Sequence, residues 1–142
     1  MQTAIKLIAQ NFIEEIWNQR KFQNLEKYLH PEFTDHSLPP NLPANKVGLR
    51  IWISATGKSF EHETIIEDTV AEGDKIILKI RMKLKHIGAW RSIESSGKKI
   101  ETTGYRYLLF RGNKILNHWA LIDGESIEKQ LTVRKQQCEV ST

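Results

Sequence analysis

A run of alternating charged and apolar residues constrains this chain more than any other feature. Between residues 75 and 85, basic side chains alternate with an apolar set formed by Ile76, Leu78, Ile80, Met82 and Leu84. A period of two puts successive side chains on opposite faces of a strand, so the pattern predicts a strand with one buried face. Lysines on the other face keep a strand solvated and discourage edge pairing. We therefore attribute the net charge of +4 to a solvated face and expect no nucleic-acid partner.

The first third of the chain has helical spacing. Residues 3–19 place apolar side chains three and four positions apart, which predicts an amphipathic helix. This stripe consists of Ile5, Ile8, Ala9, Phe12, Ile13, Ile16 and Trp17. Residues 23–29 are predicted as a second helix that ends before Pro31. A proline-rich loop over 35–43 follows, and Asn45 is a plausible N-cap for a third helix to about residue 60.

The second half changes to the period of strands. We predict strands over 63–71, 75–87, 99–110 and 115–122, with a bend or bulge at Gly104 and a short helix over 126–131. Helices followed by an antiparallel meander predict an α+β fold, with helices packed on one face of a curved sheet. The length of 142 residues suits one domain, with a core over about 3–131 and a polar tail over 132–142.

Several classes of protein are not expected. One cysteine, Cys138, cannot build an intramolecular disulfide, and its place in the tail argues against a nucleophile or a cysteine-held zinc. The five histidines lack the spacing of a metal site, and we expect no metal and no cofactor. Apolar runs are far shorter than the ~20 residues that span a bilayer, and no signal peptide is visible. We expect a cytoplasmic protein without a membrane partner.

Four segments, taken in order, resemble a known family. They are WNQRKFQNLEKYLHPEFTDH, IEDTVAEGDKIILKIRMKLKHIG, SSGKKIETTGYRYLLFRGNKILNHWALID and the closing SIEKQL. With the first helix they cover roughly residues 6–131. In this combination the chain resembles the SnoaL-like polyketide cyclases of the NTF2-like superfamily. The resemblance implies a conical α+β barrel around a deep apolar pocket, and a homodimer, which we place at the open face of the sheet.

The resemblance also implies a reaction, an intramolecular aldol ring closure of a polyketide ester without metal. The ligand would be a small apolar, polyketide-like molecule. The alternatives are another isomerase, dehydratase or hydrolase using the same pocket, since a fold does not determine chemistry, or a small-ligand-binding dimeric module without catalysis.

Asp123 is the first catalytic candidate. It shares strand parity with Trp119 and Leu121, and on an inner face its carboxylate would be desolvated and tuned for proton transfer. The alternative is an N-cap of the short helix that follows, because Asp is a common N-cap. The W-x-x-x-D spacing matches the motif that holds the acid/base aspartate of the family.

Histidines supply the other catalytic candidates. His86 continues the apolar parity of its strand, so we expect it to point inward, where an imidazole can bind a substrate oxygen or carry a proton. The resemblance implies that the pair Asp35–His36 lines the mouth of the cavity, with His36 as the candidate. His118 has the parity opposite to Asp123, which predicts that it points away from the pocket, although it stays a candidate for substrate binding. His62 is expected at the surface.

Aromatic residues are candidates for the pocket wall, with plain core packing as the alternative. Tyr107 is favoured because a buried phenol needs a polar partner. The full set is Trp17, Trp52, Phe60, Tyr107 and Trp119.

Overall fold

A computed structural model describes residues 2–133 of the chain. The helix α1 (Gln2–Phe12) continues as a π-helical segment (Ile13–Asn18), and a 3₁₀ turn (Phe22–Asn24) leads into α2 (Leu25–Tyr28). The remaining elements are β1 (Leu29–Asp35), α3 (Lys46–Ser59), β2 (Phe60–Glu72), β3 (Lys75–His86), β4 (Lys99–Arg111), β5 (Lys114–Ile122) and α4 (Gly124–Thr132). The predictions for Cys138 and for most of the tail lie outside the described residues.

The five strands form one curved sheet in the order β1-β5-β4-β3-β2. Four neighbouring strands are antiparallel, and β1 joins the edge parallel to β5. The apolar stripe of α1 and the π-helical segment packs with the inner faces of β3 and β4 in one core. The predicted α+β class and NTF2-like architecture are confirmed.

Strict alternation separates the two faces of the sheet. Along β3 the even-numbered apolar residues from Ile76 to Leu84 are buried, whereas Ile77 and the basic residues Lys79, Arg81 and Lys83 are exposed. Each lysine of this strand lies opposite an acidic residue of β2, in the pairs Lys75–Glu72, Lys79–Asp68, Lys83–Glu63 and Lys85–Glu61. Opposite charges across an antiparallel pair stabilise it modestly. The basic run is therefore half of a cross-strand charge pattern on the solvated face.

Two local predictions were wrong. The strand β1 runs through a segment that we predicted as the end of a helix and the start of a loop, and Pro31 is tolerated there because β1 is an edge strand. Gly104 is not a bulge, because it pairs in register with Ile80 and Ile122. A Cβ at this position would lie 2.7 Å from the Leu121 carbonyl oxygen, so glycine allows a close approach of β4 and β5.

The predicted cap of α3 is confirmed. The side chain of Asn45 accepts hydrogen bonds from the backbone N–H groups of Val47 and Gly48, which are free donors at a helix start. Within residues 2–133, none of the helices has the length and apolar character needed to cross a membrane. The cytoplasmic location stays a prediction.

Candidate functional site

An apolar cavity of about 480 Å³ lies over the inner face of the sheet. Its volume falls within the range of small-molecule sites, roughly 300–1,000 Å³. Three tryptophans and a phenylalanine form much of its wall, and α3, α4 and the loop after β3 contribute to it. These aromatic lining residues are Trp17, Trp52, Phe60 and Trp90. The wall therefore suits a flat apolar ligand.

A smaller recess of about 170 Å³ adjoins the cavity. The two share Trp17, Trp52, Arg106 and Ile122, so Arg106 lies at their junction. Beyond the shared residues the recess is lined by Asp35, Ser37, Leu38, His118 and Ala120. The recess thus adds Asp35 and His118 to Arg106, and the cavity holds most of the apolar surface.

Three neighbouring strands carry the polar centre of the recess. Asp35 on β1 lies beside His118 on β5, and His118 Nδ1 donates to Asp35 Oδ2 at 2.9 Å. Arg106 on β4 follows, with Nη1 3.3 Å from His118 Nε2. The three residues are 2–3% exposed. We call this row Asp35–His118–Arg106 the inner triad.

The environment of the inner triad determines its protonation. Burial by itself raises the pKa of Asp35, but hydrogen bonds from His118 and the Ser37 backbone N–H outweigh it, so the pKa lies below its ordinary value. Burial lowers the pKa of the His118 imidazole, and the nearby charge of Arg106 acts in the same direction. At neutral pH Asp35 is therefore a carboxylate and His118 is neutral, with its proton on Nδ1 and its lone pair on Nε2.

Arg106 remains a cation in this environment. Burial lowers its pKa to about 10, and the Asp35 carboxylate opposes that shift. Its guanidinium carbon lies 4.0 Å from the centre of the Trp17 ring, a distance at which a cation is attracted to the ring face. The inner triad thus combines an anion, a neutral base and a cation at the end of an apolar cavity.

Comparison with known proteins identifies the family. The model of a protein family described as "SnoaL-like polyketide cyclase" matches residues 7–131, which is most of the chain. The chain belongs to the SnoaL-like polyketide cyclase family. A search of curated proteins finds no match.

Solved structures of other proteins share the SnoaL-like fold. TsrD from Streptomyces laurentii is 20% identical, with 93% of this chain and 97% of TsrD covered and a TM-score of 0.82. A SnoaL-like polyketide cyclase from Agrobacterium tumefaciens is 15% identical, with 89% and 97% covered and a TM-score of 0.75. AclR, a proposed hydroxylase from Streptomyces galilaeus, is 17% identical, with 92% and 97% covered and a TM-score of 0.79. At these identities the likeness concerns the fold.

Asp123 does not occupy the predicted position in an apolar cavity. It is exposed just after β5, and its side chain accepts a hydrogen bond from the backbone N–H of Ser126 at 3.0 Å, as the N-cap of α4. The prediction of an inner face was wrong because Trp119 and Leu121, the residues with the same strand parity as Asp123, lie on the outer face of β5. The alternative interpretation of Asp123, a helix cap, is the one that the geometry supports. A catalytic role for Asp123 stays a prediction that its position does not favour.

Three other candidates also lie on the outer face, Trp119 through the parity of β5, Tyr107 as its partner on β4 and His36 by stacking on it. Tyr107 stacks on Trp119 with ring centres 5.1 Å apart, and Trp119 stacks on His36 at 4.4 Å. His36 Nε2 donates to the Asn117 side chain at 2.8 Å. Tyr107, Trp119 and His36 therefore lie across the sheet from the cavity, whereas His118, predicted to point away from it, is buried in the recess.

His86 is buried on the inner face, as its parity predicted. Its Nδ1 is hydrogen bonded to the Ser96 hydroxyl at 2.9 Å, and its ring lies against Phe60. It lies behind the cavity wall rather than in it, since Phe60 and Leu84 are lining residues and His86 is not. His62, expected at the surface, is partly buried with its ring edge-on to Trp17.

Trp17, Trp52 and Phe60 line the cavity, which is the position predicted for them. Sequence reasoning missed Asp35 and Arg106 as site residues. Arg106 carried a usable signal, because it shares strand parity with Ile100, Leu108 and Phe110, and a charged residue in an apolar register is unusual. For Asp35 the only signal was the resemblance, which implies that the Asp35–His36 pair lines the mouth of the cavity; its burial beside His118 was not predicted because β1 was not recognised.

Within residues 2–133, no group of three His, Cys, Asp or Glu side chains is arranged to hold a metal ion. The expectation that the protein uses neither metal nor cofactor stays a prediction.

The N-cap position of Asp123 leads to a paired prediction. Asp123→Asn keeps a side-chain oxygen that can accept from Ser126, so the free energy of unfolding should change by less than about 0.5 kcal/mol. Asp123→Ala removes the cap and should cost roughly 1 kcal/mol. Urea unfolding of both variants measures the difference, and equal losses in the two would contradict the cap.

The lowered pKa of His118 predicts how stability depends on pH. As the pH falls, this histidine is protonated near pH 6.5 in the unfolded chain and only at a lower pH in the folded protein. Its stabilising contribution is therefore present above about pH 6.5 and is lost as the pH falls through the lowered value, by at most ~1.4 kcal/mol per pH unit. His118→Asn keeps a donor for Asp35 but does not titrate. Unfolding free energies measured between pH 7.5 and 5.5 should fall less in His118→Asn than in the wild type, and parallel curves would refute the assignment.

Proposed function

We propose that this protein is a metal-free acid/base enzyme that closes a ring in a polyketide-like 1,3-dicarbonyl compound by an intramolecular aldol reaction. The observation that carries the proposal is the buried pair of Asp35 and His118 beside an apolar cavity. Carbon between two carbonyl groups is acidic, so a base and correct positioning suffice to form its enolate. Membership of the SnoaL-like family supports this class of reaction.

The dyad has the arrangement of an activated base. Asp35 holds the imidazole through Nδ1, which leaves the lone pair of His118 on Nε2, the atom nearest Arg106. In the proposed first step, Nε2 takes the proton from the carbon between the carbonyls, and the electron pair of that C–H bond becomes the enolate. The Asp35 carboxylate stabilises the imidazolium that results, as the acidic member of a catalytic triad does.

The second step returns the proton. The enolate carbon attacks a second carbonyl carbon of the same molecule, a carbon–carbon bond forms, and the former carbonyl oxygen becomes an alkoxide. The His118 imidazolium protonates this alkoxide, so no atom is gained or lost overall. A fixed cation that faces developing negative charge in a dry site stabilises it strongly, and Arg106 is placed for that role.

The aromatic wall would position the substrate. Trp17, Trp52 and Phe60 offer flat apolar surfaces that fold the chain of the substrate so that its reacting carbons meet. His86 supports this wall from behind through its contact with Phe60. Asp123 and His36 have no part in the proposed steps because they lie outside the cavity and the recess.

The first step can be measured without knowing the natural substrate. Ethyl benzoylacetate, a β-keto ester with an aromatic body, exchanges its acidic hydrogens for deuterium in D₂O, and NMR follows the exchange. We expect the wild type to accelerate it and His118→Asn to reduce the enzymatic part by about 100-fold or more, the usual scale of acid/base catalysis. The substitution keeps a donor near the position of Nδ1, so Asp35 stays paired.

The matched control is His30→Asn, the same substitution on β1. His30 accepts a hydrogen bond from the Glu32 backbone and lies outside the cavity and the recess. It should exchange the probe at the wild-type rate. A His118→Asn protein that is folded and equally active would remove the dyad from the proposal.

We further propose that two copies associate through the outer face of the sheet. The half formed by β4 and β5 carries an aromatic patch that we define as His36, Tyr105, Tyr107, Trp119 and Leu121. Tyr105 is 51% exposed and Leu121 76% exposed. The patch lies beside the charged half of the same face, which β2 and β3 form. Two copies that pair through the patch would bury its apolar side chains against each other and leave the charged pairs in solvent.

The dimer proposal predicts a mass of two chains in light scattering at tens of micromolar. Leu121→Glu places a charge on the most exposed apolar residue of the patch and should shift the protein to monomer. Leu7→Glu is the matched control, because Leu7 is also exposed but lies on α1, and it should leave the mass unchanged. A monomeric wild type would contradict the proposal.

A further inference from the structure

The charged groups that line the cavity are all cationic. Arg91 and Arg106 are among its lining residues, and none of the described residues that line it is acidic. Arg91 is about half exposed and is paired with Glu128 at 3.4 Å, so its charge is balanced at the surface. The buried cation of the cavity is therefore Arg106.

The charge of Arg106 is only indirectly balanced. The oxygens of Asp35 accept from His118 and from the Ser37 backbone, so this carboxylate reaches Arg106 only through a neutral imidazole. Nε of Arg106 has no hydrogen-bond partner within residues 2–133. A buried cation that lacks direct pairing is costly, and such a group calls for an explanation.

A second N–H group beside Arg106 also lacks an acceptor. Trp17 lies under the guanidinium, and its indole Nε1 is buried without a partner among the described residues. Indole and guanidinium nitrogens can only donate hydrogen bonds. Two neighbouring side chains that both line the cavity therefore leave buried donors unmatched.

We propose that the ligand of this cavity is a flat apolar molecule that carries a delocalised oxyanion, either a carboxylate or an ionised 1,3-dicarbonyl, and that Arg106 binds this anion. The proposal rests on the function proposed above in placing the substrate in this cavity. A guanidinium matches the two oxygens of such an anion, and charge-assisted hydrogen bonds of this kind are strong. The tryptophan walls accept the flat body.

Binding of an anion would also affect the base. Without a ligand, Nη1 of Arg106 donates to the lone pair of His118 that the proposed reaction needs. An oxyanion competes for that donor more effectively than a neutral imidazole does, because it carries a full charge. A carboxylate on the substrate would thereby free the base before the proton is removed, whereas an enolate would take the Arg106 donor once the first step has formed it. A neutral ester would do so less well.

The test compares an anion with a neutral molecule of the same shape. Binding of 2-naphthoate and of 2-naphthamide is measured by quenching of tryptophan fluorescence and by calorimetry. We expect the wild type to bind 2-naphthoate at least tenfold more tightly, and Arg106→Gln to abolish the preference. Arg106→Lys, which keeps the charge but loses the two-oxygen geometry, should keep part of it. The anion of 1,3-indandione, as the enolate probe, should depend on Arg106 in the same way if an ionised dicarbonyl is the ligand.

The controls separate this inference from the proposed chemistry. Arg81→Gln makes the same substitution on the outer face, where Arg81 pairs with Glu67 and Glu101, and should keep the wild-type preference. His118→Asn should keep the preference for 2-naphthoate even though deuterium exchange is lost.

Equal affinity of the wild type for 2-naphthoate and 2-naphthamide, or no measurable binding of either anion, would overturn the inference whether or not Arg106→Gln folds. If the preference holds and His118→Asn exchanges normally, the proposed reaction fails and the anion site stands.

Discussion

Burying the cation of Arg106 requires a compensating charge, and the arrangement of this site follows from that requirement. The compensating carboxylate, Asp35, lies on an edge strand two strands away, and His118 links the two. Moving any of these side chains out of the row would leave a charge enclosed without a partner, which is strongly destabilising. The parallel pairing of β1 with β5 puts Asp35 beside His118, so the edge strand completes the site.

The two faces of the sheet carry different properties because side chains alternate along its central strands β3 and β4. The inner face holds the core, the cavity and the inner triad, and the outer face holds an ionic half and an aromatic half. A single-residue shift in β5 would exchange Trp119 with His118 and would move the imidazole into solvent. The close contact of β4 and β5 at Gly104, where a Cβ would meet the Leu121 carbonyl oxygen, helps to define this register.

The site departs in one respect from what the family motif suggested. The aspartate in the W-x-x-x-D spacing caps a helix, while the buried carboxylate comes from Asp35. The ionisable centre of the site thus lies between β1, β5 and β4 rather than at the end of β5. A motif describes the spacing of residues along the chain, whereas the burial of a carboxylate depends on whether its side chain lies on the strand face that packs against the core.

Sequence by itself determined the elements whose pattern repeats. The spacing of three and four in α1, the Asn45 cap of α3 and the alternation in β3 specified these elements and their buried faces, because each signal lies within a few neighbouring residues. Only the tertiary structure decided the orientation of β5 and the existence of β1. Residues 119–122 are all apolar, so no alternation marks an inner side, and β1 exists because β5 offers it a parallel edge. The inner triad combines residues up to 83 positions apart, and their proximity depends on strand order and register, which no local pattern encodes.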